Sequence, residues 1–221
     1  MNNIKGGIKM KSDGKCEFCN TVFSGSVMSK HLQSCAERKK QIELETEEGK
    51  VFLIKANCAP FWVFFEVNAD SALEDIDSFL RNLWLECCGH LSKFTIGGDN
   101  YASSPDPDYE DKSMDIRIDK VLSVGLSFMH EYDFGTTTTL ALKVIGLRNG
   151  KVEDIDVIAR NNIPDFKCKC GKPAQEICTQ CIYEGKGLLC EECAQKHECG
   201  EEMLLPMVNS PRAGMCGYTG N

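Results

Sequence analysis

No apolar stretch of this sequence is long enough to cross a bilayer. The richest, APFWVFFEV at 59–67, has nine residues and includes a glutamate, against the roughly 20 that a spanning helix needs. The N-terminus MNNIKGGIKMKSDGK has no apolar core of the kind a secretory signal carries, so no targeting segment is read there. Nucleotide and hydrolase signatures are missing too: there is no phosphate-cradling P-loop, no GxSxG elbow and no HExxH pair. Net positive charge is confined to the first forty residues. Residues 1–40 carry eight Lys/Arg against three Asp/Glu, whereas the whole chain stands at −8. A basic head on an acidic body argues against nucleic acid wrapping the body and leaves a local contact by the head open. These absences describe a soluble, cytoplasmic protein with no membrane partner and no identified small-molecule substrate.

Cysteine is what the chain has in quantity, fourteen of 221 residues, beside four histidines. Reducing compartments disfavour disulfides, so spacing must distinguish metal ligands from buried thiols. At the N-terminal end Cys16 and Cys19 are followed by His31 and Cys35. A knuckle offering two thiolates and a helix offering His31 and Cys35 one turn apart would complete a tetrahedral set, with Phe23 and Met28 as its small core. The pattern is similar to the C2H2 zinc finger with Cys in place of the last His. Lys30, Arg38, Lys39 and Lys40 could meet phosphates, or simply form a solvated, dipole-favoured helix end.

At the other end, CKCGKPAQEICTQCIYEGKGLLCEECAQKHEC (168–199) supplies four close pairs: Cys168/Cys170, Cys178/Cys181, Cys190/Cys193 and His197/Cys199. Eight donors suit two tetrahedral ions, and the polar filler between them offers almost no core, so metal would supply the fold. Sequential and interleaved pairings both satisfy the spacing. A redox CxxC lacks the βα context it uses, while an iron–sulfur centre would require four Cys in one set. The run is similar to a B-box zinc module over about 33 residues, and that resemblance implies the interleaved cross-brace and protein–protein contact. It departs in its tight Cys-x-Cys start and its final Cys199, which makes Cys216 the reserve ligand for the second site. The expectation is three zinc ions per chain. The tail from 201 is expected to fold back on this module.

The middle reads as an α+β domain with a mostly antiparallel sheet, in the order β-β-α-β-β-β-β. VFLIKAN and FWVFFEVN are strand-like. Ser71 and Glu74 suggest a capping box, and Leu73, Ile76, Leu80, Leu83, Trp84 and Cys87 recur at helical spacing before Gly89. HLSKFTI, LSFMHEYDF, TTTLALKVI and VEDIDVIA follow as strands. The resulting segments are a C2HC-type finger at 1–40, a linker at 41–50, the sheet domain at 51–162 and the cysteine-rich segment at 163–221. GHLSKFTI, DKVLSVG and FMHEYDFG resemble the plasmid pRiA4b ORF-3-like family over about 110 residues. The family's His-Leu-His-x-Phe run reads here His90, Leu91, Ser92, Lys93, Phe94. Its Tyr-Asp-Phe-Gly-Asp-x-Trp-x-His run keeps Tyr132, Asp133, Phe134 and Gly135, with Thr136, Thr138 and Leu140 at the later polar positions. The resemblance implies an association with mobile elements.

Cys87, Cys88, His90, His130 and Asp133 invite a Cys–His nucleophile with a His130–Asp133 pair. The plainer reading makes Cys87 part of the helix's apolar face and His90 a helix-end group. No catalytic or cofactor-binding residue is assigned. The function expected is a non-catalytic zinc-binding adaptor with a protein partner. Its alternatives are a nucleic-acid-associated protein contacting DNA or RNA through residues 1–40, and an enzyme built on the central domain.

Overall fold

The run FWVFFEVN forms the strand on which the molecule is layered. In the computed structural model, which describes residues 12–220, the chain opens with a hairpin of β1 (Asp13–Cys16) and β2 (Val22–Ser24). Helices α1 (Gly25–Ser34) and α2 (Ala36–Leu44) follow. Next come β3 (Lys50–Cys58), β4 (Phe61–Asn68) and α3 (Leu73–Leu80), which runs into a π-helical turn over Arg81–Leu85. The strands β5 (Ser92–Ile96), β6 (Asp99–Ala102), β7 (Lys112–Ser113), β8 (Ser127–Tyr132), β9 (Thr138–Asn149) and β10 (Asp156–Asn161) complete the main sheet. The C-terminal segment holds β11 (Glu176–Cys178), β12 (Leu188–Leu189), α4 (Glu191–Ala194) and β13 (Leu204–Pro206). The main sheet has ten strands in the order β2-β1-β10-β4-β3-β9-β8-β5-β6-β7, antiparallel except for the β6–β7 pair. The second has three, β12-β11-β13. This is the α+β class expected, with cysteine-rich groups near both ends.

A half-exposed strand alternates apolar and polar residues, but β4 is buried along both faces. Phe61, Val63, Phe65 and Val67 point into the main core with Ile76, Leu80 and Trp84 of the helical side. Trp62 and Phe64 point the other way, into a second core with Met28 and Leu32 of α1 and Cys16 and Cys35. The finger is thus docked on the sheet's outer face, and its hairpin extends the sheet through β1 and β10. Its core is larger than the Phe23–Met28 contact expected from spacing. Close approach explains two glycines: a Cβ at Gly14 would lie 2.6 Å from the Trp62 ring, and one at Gly25 2.9 Å from it.

Two local expectations are corrected. The finger helix stops at Ser34, so Cys35 follows the helix that carries His31 and is not one of its residues. Cys35 adopts an extended conformation, ψ 118°, between α1 and α2, so its thiol turns inward at the break. α2 is then held by ion pairing of Arg38 with buried Glu66, which also meets Arg148 at 2.6 Å. Arg38 therefore faces the sheet, not solvent. Helix α3 begins one residue later than the Ser71/Glu74 box implies. Ser71's carbonyl is engaged by the Ile118 N–H, and the Asp75 carboxylate accepts the Ala72 N–H at 2.8 Å.

His130 is fully buried on the core face of β8. Its partner is Asp77 on the inner face of α3, at 2.6 Å, and not Asp133, which pairs with Arg212. Arg81 also reaches Asp77, at 2.7 Å. Burial alone would push the Asp77 carboxyl up, but His130, Ser92 and Arg81 outweigh it and hold it below the ordinary range. A depressed folded pKa contributes stability that is complete above the unfolded value, roughly 3.9, and is lost as pH falls through the folded one. Asp77→Asn is therefore expected to cost roughly 1.5–3 kcal/mol near neutrality. In urea titrations at several pH values the gap to wild type should close below about pH 4. A gap that stays constant into acid would refute the charged pairing.

Candidate metal centres

In the finger, β1 and β2 form the knuckle that carries Cys16 and Cys19, and α1 brings His31 over it. Cys19 Sγ lies 3.3 Å from His31 Nε2, and the Phe23 ring packs on the imidazole at 4.4 Å between centroids. Cys35, at the break between the helices, completes the set. The four donor atoms lie within 4.8 Å of one another. A tetrahedral ion with metal–sulfur bonds of about 2.3 Å would space its sulfurs about 3.8 Å apart.

The C-terminal segment sorts its eight donors by the interleaved pairing. Cys168, Cys170, Cys190 and Cys193 converge as one group, with Cys170 and Cys190 sulfurs 3.5 Å apart. Cys178, Cys181, His197 and Cys199 form the other, with Cys181 and Cys199 at 3.6 Å. The order follows from the small sheet. β11 delivers Cys178 at its end, while β12 leads directly into Cys190 at the start of α4. Cys199 is in the second group, so the reserve role given to Cys216 falls away. The tail divides. Its first part folds back on the module as expected, with β13 pairing to β11. Its remainder lies against the main domain, where Ser210 Oγ donates to the Trp84 carbonyl at 2.6 Å and Arg160 donates to the Asn209 carbonyl at 2.6 Å.

Crowding of thiols shapes their acidities. Hydrogen bonds from Thr21 bring Cys19 down to about 6, whereas burial pushes Cys16 up to about 11. The Cys170 N–H leads in lowering Cys168 to about 6, and the Cys168 sulfur leads in raising Cys193 to about 12. Against burial, the Cys181 N–H and His197 bring Cys178 to about 7, while Cys199 leads in pushing Cys181 to about 12. Each group thus accepts one thiolate, helped by knuckle N–H groups, and resists the next. A bound divalent cation relieves that repulsion and releases the remaining protons.

A fourth group brings together residues that the spacing did not connect. Cys87, Cys88 and His90, just beyond the π-helical turn, meet Cys216 of the tail with all donors within 4.8 Å. Cys87 is thus not simply part of the helix's apolar face, nor His90 simply a helix-end group. With this group counted, every cysteine but Cys58 and every histidine but His130 belongs to a four-donor set.

The fold and these groups define a cysteine-rich α+β protein with four Cys/His clusters able to hold metal ions. No family model matches the chain, and no curated protein matches it. Among solved structures it is similar to a protein of unknown function, MM3350 from Methanosarcina mazei Go1, at 16% identity and a TM-score of 0.42, over 52% of this chain and 68% of that one. Among the described residues no helix is long and apolar enough to cross a membrane.

Proposed function

We propose that the protein is a non-catalytic interaction protein whose terminal segments are shaped by structural zinc. Zinc sits with Cys16, Cys19, His31 and Cys35, with Cys168, Cys170, Cys190 and Cys193, and with Cys178, Cys181, His197 and Cys199. The observation that carries this reading is the completeness of the donor sets. Each offers four N or S ligands, which leaves no position for water or substrate. The remaining chemistry agrees. His130 is enclosed with Asp77. Exposed Leu91, Tyr109 and Phe134 line a surface groove on the main domain that suits a protein surface better than a polyanion. The central sheet is read as a relative of the pRiA4b ORF-3-like family, and the reduced thiols as those of a cytoplasmic protein.

Native mass spectrometry of the purified full chain tests the metal reading. Cys16→Ser, Cys168→Ser and Cys178→Ser are each expected to lose one zinc ion. Wild-type protein without zinc would overturn the assignment. Nucleic acid remains the alternative occupant of the basic head, although Arg38 faces inward and Lys40 pairs with Glu37 at 2.8 Å. Binding to DNA or RNA that falls steeply with salt and vanishes on deletion of residues 1–40 would favour it.

A further inference from the structure

Cys87, Cys88, His90 and Cys216 match the other three groups in donor number and compactness and two of them in their Cys3His composition, yet three of the donors belong to the main domain and the fourth to the C-terminal tail. Cys88 Sγ lies 3.0 Å from His90 Nε2 and 3.6 Å from Cys216 Sγ, and His90 Nε2 lies 3.3 Å from Cys216 Sγ. The backbone repeats a device of the C-terminal module. There Cys170 and Cys199 are each followed by a glycine with positive φ, Gly171 at 89° and Gly200 at 81°. Cys88 and Cys216 are followed in the same way, by Gly89 at 77° and Gly217 at 67°. These four are all of the Cys-Gly steps in the chain. Cys216 is itself left-handed, φ 49°. A non-glycine residue pays for that conformation and keeps it only where its surroundings demand it.

The surroundings are those of an outer shell. Arg212, fully buried, places Nη2 3.6 Å from Cys87 Sγ and pairs with Asp133, whose carboxylate comes within 3.6 Å of His90 Nε2. A Cys3His set around a divalent cation carries one net negative charge, and a guanidinium directed at one of its sulfurs is the expected complement.

We propose that these four residues form a fourth zinc site, which clasps the C-terminal tail across the end of the helical segment. The inference goes beyond the three sites above and rests on the same metal chemistry. The clasp closes a loop of more than 120 residues between His90 and Cys216, and Ser210, Arg212 and Tyr218 of the tail are buried. Without the ion the tail keeps its hydrogen bonds to Trp84 and Thr136 but loses its terminal anchor.

The test is zinc stoichiometry of the intact chain by native mass spectrometry, comparing wild type with Cys88→Ser/Cys216→Ser. Wild type is expected to hold four ions and the double variant three. His90→Ala, a change at a partly exposed position, should also hold three, and Cys58→Ser should hold four. Equal counts in wild type and the double variant would overturn the proposal, as would a wild-type mass two daltons low with one ion fewer, the mark of a Cys88–Cys216 disulfide. The loss of one ion in Cys16→Ser, Cys168→Ser or Cys178→Ser is read separately, so the fourth site can fail while the other three stand.

Discussion

Treating the purified protein with a strong chelator is expected to abolish the structure of residues 163–207 while residues 51–162 keep theirs. The module's own core is Cys178, Leu189 and Ala194, and the partly buried residues around it include Cys181, Cys193 and Cys199. With Met203 and Leu204 counted, the candidate ligands are half of this cluster. Its strands have two or three residues each, too few to hold a sheet in water. Apart from the contacts of Phe166, Ala174, Leu188 and Met207 with the main core, what remains is metal binding, which in small zinc-folded peptides amounts to about 10–16 kcal/mol near neutral pH. The finger should respond by degrees. Its core includes Leu53, Trp62, Phe64, Ile158 and Ala159 of the main sheet, and burying a side chain the size of Leu32 contributes roughly 1.5–3 kcal/mol without any ion. Limited trypsin digestion read by mass spectrometry separates the two behaviours. Rapid new cleavage at Lys169, Lys186 and Lys196 is expected after chelation, with slower change in the finger. Unchanged resistance in the module would end the case for metal-dependent folding.

Glu66→Ala is expected to destabilise the protein by about 3–5 kcal/mol, the usual cost of leaving buried charges without their partner. Glu66 is buried on the outer face of β4, where Arg38 of α2 and Arg148 of β9 both meet its carboxylate. Burial would raise its pKa, but Arg148 and Arg38 hold it below the ordinary carboxylate range. Removing it leaves Arg38 enclosed against the sheet with one acceptor, the Leu32 carbonyl at 2.8 Å. The loss should centre on the finger, because Arg148 keeps Glu45 as a second partner. Urea denaturation gives the total, and hydrogen exchange of α1 and α2 gives its location. A change below about 1 kcal/mol would mean that solvent screens this triad as it does a surface pair.

The donor clusters at the two ends were readable because close pairs in sequence are close pairs in space. CxxC needs no tertiary information to bring two sulfurs together. The strand character of FWVFFEVN was readable too, but its burial on both faces was not, since an unbroken apolar run does not say what covers each side. Trp62 and Phe64 await a finger whose own pattern gives no sign that it docks. His130 could have been placed better. Period two puts it on the face of Phe128 and Tyr132, and Asp77 falls beside Ile76 and Leu80 on the helix side that faces them. The Cys87, Cys88, His90 and Cys216 group was hidden for a different reason. Its parts lie more than 120 positions apart, and only the repeated Cys-Gly step links them locally.

The crossed order of donors in the C-terminal segment has a topological result. Each set takes one pair from before residue 182 and one from after residue 189. With metal bound at both sets, a break anywhere between those points would cut the polymer without parting its halves, because each ion would bridge the gap. Shortening the chain from either end removes donors from one centre first, and the other then loses the neighbour that positions it. The segment is therefore gained or discarded only as a whole.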